Sequence, residues 1–500
     1  MKTRIKNLFL LPALIAALGL LLAGRATAQT FTNLYNFSVD FVYFNGNVSN
    51  SDGYGPSGSL ILAGNTLYGT AGGGGSWGNG TVFALNTDGS DFTNLYSFTA
   101  TPPYPATPTN SDGANPSAGL LLAGSTLYGT ASSGGFNGNG TVFAINTDGT
   151  SYTNLHCFSA KATNSLGHYT NSDGYNPVAS LILSGKTLYG TASAGGSSGK
   201  GTVFAVNTNG TGFTNLYSFT ATTSSLSTNS DGANPSAELL LAGSTLYGTA
   251  QYGGTNGNGT VFAVNTNGTG FTVLHTFTAL SSPYPNTNGG GANPTAGLIL
   301  SGSTLYGTAL WGGSGGAGTV FAVNTNGTGF TNLYSLTSSD GANPAASLIL
   351  SGNTLYGTTH GTVFKLNTNG SSFTVLMTFP AGMAYDPDNG TETNSVGYEP
   401  VGSLLFSGNI LYGATWLGAI YGSGTVFSIL LSPQLTIMRS GTNVIVTWPA
   451  SFTGFTLQST TNLVSPAVWN TNLPAPVAIN GQNVVTNPIS IPWKFYRLTQ

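Results

Sequence analysis

Five aspartates recur in one setting. Ser-Asp-Gly or its equivalent precedes a proline and a leucine-rich run at Asp52, Asp112, Asp173, Asp231 and Asp340, and two further copies carry Gly290 and Val396 there. Carboxylates gathered around one mouth could hold a cation or a polar ligand, because hard cations take oxygen donors. The competing reading is an Asp-Gly turn whose side chain bonds backbone N–H groups ahead of the proline. Regularity favours the turn, since a site needs one copy and a building element needs them all.

A second series is aromatic. Trp77, Phe136, Tyr252, Trp311, and Trp416 with Tyr421 stand in Gly-rich segments of the repeat described below. Flat rings rimmed by Asn, Thr and Asp suit sugar stacking or a protein contact. Alternatively they cover the ends of a hydrophobic core. A third feature is the segment holding Asp386, Asp388, Asn389, Gly390 and Glu392, with Glu399 beyond, which concentrates four of the fourteen acids. Its composition resembles a calcium loop, although the spacing is not that of an EF-hand. Calcium is the sole cofactor candidate, set against a solvated acidic loop.

Other catalytic constellations are missing. The four histidines are scattered, with His156 and His275 at a position held by tyrosine in other copies. There is no His-x-x-x-His pair, no Gly-x-Ser-x-Gly elbow and no phosphate loop. Cys157 is the only cysteine, so no internal disulfide forms, and its apolar surroundings read as a small buried residue.

Composition narrows the class. Charged residues are only 5% of the 500, yet 40% are hydrophobic and 11% aromatic, enough for a packed core. Lys2, Arg4 and Lys6, the apolar run Leu8–Leu22 and Ala26-Thr27-Ala28 predict a signal peptide over residues 1–28. Beyond it stand seven basic and fourteen acidic residues. That balance argues against a nucleic-acid partner, and the mature chain has no second long apolar span to cross a membrane.

What must position these residues is a repeat. An aromatic strand pattern begins at Phe31, Phe92, Tyr152, Phe213, Phe271, Phe330 and Phe373. A leucine-rich run begins at Leu60, Leu120, Leu181, Leu239, Leu298, Leu348 and Leu404. Leu-Tyr-Gly places tyrosines at 68, 128, 189, 247, 306, 356 and 412. A Val-Phe pattern places phenylalanines at 83, 143, 204, 262, 321, 364 and 427. Each pattern is short, aromatic or β-branched, and bounded by Gly, Asn or Pro, which reads as a strand. Four strands in seven copies predict an all-β fold, a seven-bladed β-propeller with four-stranded blades over residues 29–431. The first aromatic strand has no unit before it and the seventh unit lacks one. Residues 31–37 are therefore expected to join residues 401–431 and close the ring.

Call the leucine-rich strand A, Leu-Tyr-Gly B, Val-Phe C and the aromatic strand D. Alternating directions put the A–B and C–D turns on one face and the B–C and D–A loops on the other. The first face is plain, with Asn-Gly or Asp-Gly hairpins. The second holds the aromatics, the acids and the long loops 99–115, 159–176 and 380–399, where function is expected.

The unit GANPSAGLLLAGSTLYGTASSGGFNGNGTVFAINTDGTSYTNLHCF resembles the GloVer-type tandem repeat of secreted bacterial proteins, over about 400 residues and with all four patterns in order. The resemblance implies a surface-propeller layout and assigns no molecular function. Residues 432–500 break the repeat. Strands are expected at Leu435–Met438, Asn443–Trp448, Gly454–Ser459, Val484–Asn487 and Phe495–Leu498, around Trp448, Trp469 and Trp493, and this module is similar to a small fibronectin-III-like sandwich. The expected protein is secreted and non-enzymatic, binding a glycan or an extracellular protein through the variable face. The alternative is a polysaccharide lyase or glycoside hydrolase using acids of that face.

Overall fold

The computed structural model describes residues 29–38, 42–44, 47–102, 106–165, 167–223, 227–281, 286–380, 384–386, 391–394, 396–418, 420–433, 435–450, 455–464, 467–471, 473–479, 482–489 and 494–499. The expected signal peptide and Trp493 lie outside them. Within them the chain is all-β apart from one 3-10 turn at Ser338–Asp340. Among the described residues no helix is long and apolar enough to cross a membrane.

Each repeat forms a four-stranded antiparallel meander, a propeller-like unit. In the second, the strands are Leu121–Ala123 (A), Thr126–Ala131 (B), Thr141–Asn146 (C) and Thr153–Cys157 (D), hydrogen-bonded in that order. The last sheet obtains its D strand from the start of the chain: Thr30–Asn36 lies beside Thr425–Leu430, followed by Ile410–Thr415 and Leu405–Ser407. Phe37 N–H extends that pairing to Gly424 O at 3.2 Å.

The Leu-Tyr-Gly and Val-Phe patterns recur together for a packing reason. Gly190 stands opposite Phe204 in the B–C ladder, and the ring lies over the glycine. A Cβ on Gly190 would fall 2.7 Å from Phe204 Cζ and 2.8 Å from Leu181 Cδ2. The other six sheets repeat this crowding, for example at Gly69 with Phe83 and Gly413 with Phe427. The glycine gives up a side chain so that a fully buried phenylalanine can cross the strand.

Apolar clusters then join successive sheets. Tyr128, Val142 and Phe158 of the second pack on Leu181, Leu188 and Phe204 of the third. The same arrangement links first to second, third to fourth, fourth to fifth and fifth to sixth. Tyr356 meets Phe406, and Phe379 meets Phe427, between sixth and seventh. Tyr412 and Val426 of the seventh share a cluster with Phe37, Leu60 and Phe83. Ring stacking follows the same path, with Tyr35 on Phe92 at 4.0 Å, Tyr96 on Tyr152 at 4.1 Å and His156 on Phe213 at 3.7 Å.

Residues Thr32–Ser428 make one compact unit, and the described residues from Ile429 onward belong to a second. The second contains a four-stranded sheet of Thr436–Ser440, Asn443–Pro449, Gln482–Pro488 and Val477–Ile479, and a pair formed by Thr456–Thr460 and Phe495–Thr499. Val446, Trp448, Leu457 and Val485 are its buried core. The strand Val477–Ile479 has no counterpart among the sequence expectations. All three of its side chains are exposed, so burial left no alternating pattern there to read.

Candidate functional site

Hydrogen bonds place the B–C and D–A loops side by side, as strand parity requires. The residue two after the acid position, whether or not it holds an acid, pairs with the B–C loop: Tyr54 with Gly73, Ala114 with Ser133, Tyr175 with Ala194, Ala233 with Tyr252, Ala292 with Trp311 and Tyr398 with Leu417. Where the B–C partner is Tyr252 or Trp311, the D–A partner is alanine; opposite Gly73, Ala194 and Leu417 stands tyrosine. Tyr54 covers Gly73 so closely that a Cβ there would fall 2.3 Å from its Cζ. In the sixth unit His360 N–H reaches Ala342 O at the same place.

All six aromatics of the B–C loops are exposed. Their fractional exposure is 39% for Trp77, 70% for Phe136, 42% for Tyr252, 43% for Trp311, 44% for Trp416 and 40% for Tyr421. Two other aromatic series of the repeat are buried: each Leu-Tyr-Gly tyrosine is at most 8% exposed and each Val-Phe ring 0%. Trp416 also touches the neighbouring unit, since a Cβ on Gly55 would fall 2.8 Å from its Nε1.

The acids reach back along the chain. Asp112 Oδ2 accepts from Tyr96 Oη at 2.8 Å and Thr99 N at 2.9 Å, and its Oδ1 accepts from the Thr99 hydroxyl. Asp52 accepts from Tyr35 and Ser38, Asp231 from Tyr217 and Thr220, and Asp340 from Tyr334 and Thr337. Asp173 replaces the tyrosine partner by His156 Nε2 at 2.9 Å and adds Ser159. Each acid thus ties the end of strand D to the start of the next unit. Asp52, Asp112, Asp173 and Asp231 are all buried. Burial opposes ionisation of Asp173, but the bonds from His156 and Ser159 outweigh it and hold the carboxyl below its ordinary range. Burial first, then the facing carboxylate, pushes the hydroxyls of Tyr35, Tyr96 and Tyr217 well above the usual tyrosine range.

One of the two copies without an acid has also lost its donors. Opposite Val396 stand Met377, which has no hydroxyl, and Pro380, which has no N–H. Opposite Gly290 stands His275, stacked on Phe330 at 3.5 Å. Burial lowers its pKa from 6.5 to about 4. The unfolded chain therefore takes up the proton first, and stability falls as pH drops from 6.5 towards 4. His275→Phe is expected to flatten this part of the acid loss in a urea midpoint measured against pH. Gly290→Asp is expected to raise the histidine pKa in an NMR titration.

A residue absent from the sequence reading completes the loop. Asn110 Oδ1 accepts from Gly113 N and Gly135 N at 2.9 and 2.7 Å, while its Nδ2 donates to Thr99 O and Gly113 O at 2.9 and 2.7 Å. Asn50, Asn171, Asn229 and Asn288 do the same. The signal was available: Asn stands two before the acid and persists at Asn288 and Asn394 where the acid is lost. Its one exception is Ser338, in the unit whose B–C loop is too short to bond.

Among the calcium candidates, Asp388 and Asn389 lie outside the described residues. Asp386 and Glu392 fall in a hairpin of Ala384–Asp386 with Thr391–Thr393, where Tyr385 stands opposite Glu392; the described structure does not extend to their side chains. Among the described residues no three His, Cys, Asp or Glu gather as metal ligands, and His156–Asp173 is the one ion pair.

No curated protein matches the sequence. Among solved structures the chain is similar to oligogalacturonate lyase from Vibrio parahaemolyticus, with TM-score 0.45 and 10% identity, covering 81% of this chain and 94% of that one. It is also similar to the extracellular domain of a hybrid two-component system from B. thetaiotaomicron, with TM-score 0.44 and 10% identity, covering 84% of this chain and 46% of that one. A 6-phosphogluconolactonase from Bacteroides uniformis gives TM-score 0.40 and 16% identity, covering 67% and 90%. The family model for the Gloeobacter/Verrucomicrobia repeat matches residues 34–166, 159–289 and 283–444 in tandem. With the repeat recovered in sequence and in the sheets it builds, the chain belongs to the Gloeobacter/Verrucomicrobia repeat family.

Proposed function

We propose that residues 29–431 form a closed seven-bladed propeller whose B–C and D–A loops bind a glycan, in a secreted, non-enzymatic protein. The closure reading is supported by the strand Thr30–Asn36 in the last sheet and by one bond that recurs between neighbours. Asn115 N–H reaches Asn79 O, Asn234 reaches Lys200 O and Asn293 reaches Asn258 O, each at 2.8 Å. Gly55 N–H reaches Ser423 O at 2.9 Å, the same bond made from first unit to seventh.

The observation that carries the binding reading is the exposure of Trp77, Phe136, Tyr252, Trp311, Trp416 and Tyr421 on one set of loops. Exposed rings among Asn, Thr and Ser, with few charges, suit the apolar face of a sugar ring with hydroxyls bonding around it. An extracellular protein would use the same rings as anchors. The five acids enter this reading as brackets of the loops, which leaves a lyase or hydrolase without an open carboxylate pair from that series. Residues 432–500 are read as a separate small β-sandwich of fibronectin-III type.

The test is a glycan array of the mature protein, with and without Ca²⁺. Trp77→Ala and Trp311→Ala are expected to weaken a hit at least tenfold while leaving the melting temperature within about 2 °C of wild type, as for exposed side chains. Binding unchanged in both variants would remove the loop face from consideration. A Ca²⁺-dependent hit lost in Asp386→Asn/Asp388→Asn would assign the acidic loop.

A further inference from the structure

Immediately before strand A, the seven repeats contribute three residues each, most of them small, to the lining of one cavity of about 100 Å³. The third residue of each triplet is Ser59, Gly119, Ser180, Glu238, Gly297, Ser347 or Ser403. Six are serine or glycine and one is glutamate. Glu238 also lines a second cavity of about 490 Å³, which shares Ser59, Gly297, Ser347 and Ser403 with the first. It is the only ionisable residue lining either cavity.

Packing explains the small residues. Gly297 N–H donates to Ser347 Oγ at 2.9 Å, Ser347 N–H to Ser403 Oγ at 3.1 Å and Ser403 N–H to Ser59 Oγ at 3.2 Å. The serine hydroxyls therefore link one unit to the next. Glutamate breaks this scheme. Among the described residues its carboxylate has no hydrogen-bond donor and no ion-pair partner, and the residue is half-buried. Thr295 Oγ1, in the next repeat's part of the same lining, is buried and without a hydrogen-bond partner. Gly297 fits closely against Glu238 and Ser347: a Cβ there would lie 2.8 Å from Ser347 Oγ and 3.4 Å from Glu238 Cβ. An unpaired carboxylate and an unpartnered hydroxyl in one hydroxyl-lined cavity favour an occupant that takes oxygen donors.

We infer that Glu238, with Thr295 and the serine hydroxyls around the cavity, holds a small hard cation of the alkali or alkaline-earth class. One carboxylate supplies the charge and neutral hydroxyl oxygens complete the shell, the donor set such cations take. A cavity of about 100 Å³ has room for an ion with a water or two, at roughly 30 Å³ per water. Burial alone raises the Glu238 pKa from 4.5 to about 7, so proton and cation compete for the carboxylate near neutral pH. No other titratable or charged group faces it from the cavity walls.

The test is thermal unfolding and calorimetric titration of the full mature chain, stripped of metal, with CaCl₂, NaCl or KCl against choline chloride at equal ionic strength. At least one of the three cations is expected to raise the melting temperature of wild type. Its apparent affinity is expected to be about tenfold weaker at pH 6 than at pH 8 by proton competition. Glu238→Gln is expected to fold, to melt no lower than wild type in choline at pH 8, and to lose the cation response. Gly297→Ala, which keeps the charge and crowds Ser347 and Glu238, is expected to weaken the response. An equal response in Glu238→Gln, or no binding by wild type to any of the three, overturns the proposal. The Asp386→Asn/Asp388→Asn variant must retain the response; losing it would move the effect to the acidic loop and equally overturn the assignment.

Discussion

A mature chain lacking residues 29–37 is expected to lose cooperative folding of the Thr32–Ser428 unit. The last sheet would be left with an open C-strand edge, and the first would lose the rings packed against it. Phe37 is fully buried, lies 5.3 Å from Phe83 and 5.8 Å from Phe92, and Tyr35 stacks on Phe92 while bonding Asp52. Phe37→Ala alone is expected to cost about 3–5 kcal/mol, the usual loss for a buried phenylalanine. Circular dichroism melts and limited proteolysis read both variants. A truncated chain that melts as sharply and as high as wild type would show the first strand to be dispensable, and the closed ring would have to be given up.

Phe204→Ala is expected to have a similar cost, about 3–5 kcal/mol, and Gly190→Ala about 1–3 kcal/mol through overpacking. The two effects should not add. The added methyl of Gly190→Ala clashes with the outer carbon of the Phe204 ring, 2.7 Å away, so a shorter Phe204→Leu side chain removes much of the conflict. Gly190→Ala is expected to cost at least about 0.5 kcal/mol less in the Phe204→Leu background than in wild type, the scale of coupling between contacting residues. Urea denaturation of the four proteins completes the cycle. Strict additivity would mean that the glycine is held by something other than the ring opposite it.

This pair shows what could be read from the sequence. Strong local patterns marked every A, B, C and D strand, because each strand repeats one apolar solution seven times. Chain order alone gave the partner of Thr30–Asn36, since one strand was left over at each end. The faces followed from parity. What escaped was reciprocity between distant positions. The tyrosines of strand D and the acids up to 17 residues later look independent along the chain, and only their joint replacement at Met377, Pro380 and Val396 betrays the bond. Asn110 was hidden by its surroundings, since Asn is frequent in turns. Glu238 stood in plain view as one acid in a run of small residues, but nothing local marks that run as a cavity wall. Where the exposed aromatics point was legible only as a face, because the B–C loops that carry them differ from unit to unit.

The acid bracket has a consequence for the loops it closes. The same fastening is made across 14 residues from Ser38 to Asp52, 13 from Thr99 to Asp112, 11 from Thr220 to Asp231 and 3 from Thr337 to Asp340. Loop-closure entropy grows only slowly with length, and here both ends are already clasped. The stretch between them is therefore a cassette, and foreign segments grafted between Thr99 and Asn110 should leave the sheets beneath undisturbed. A scaffold fastened in this way can diversify its outer surface by insertion and deletion while its core composition stays monotonous.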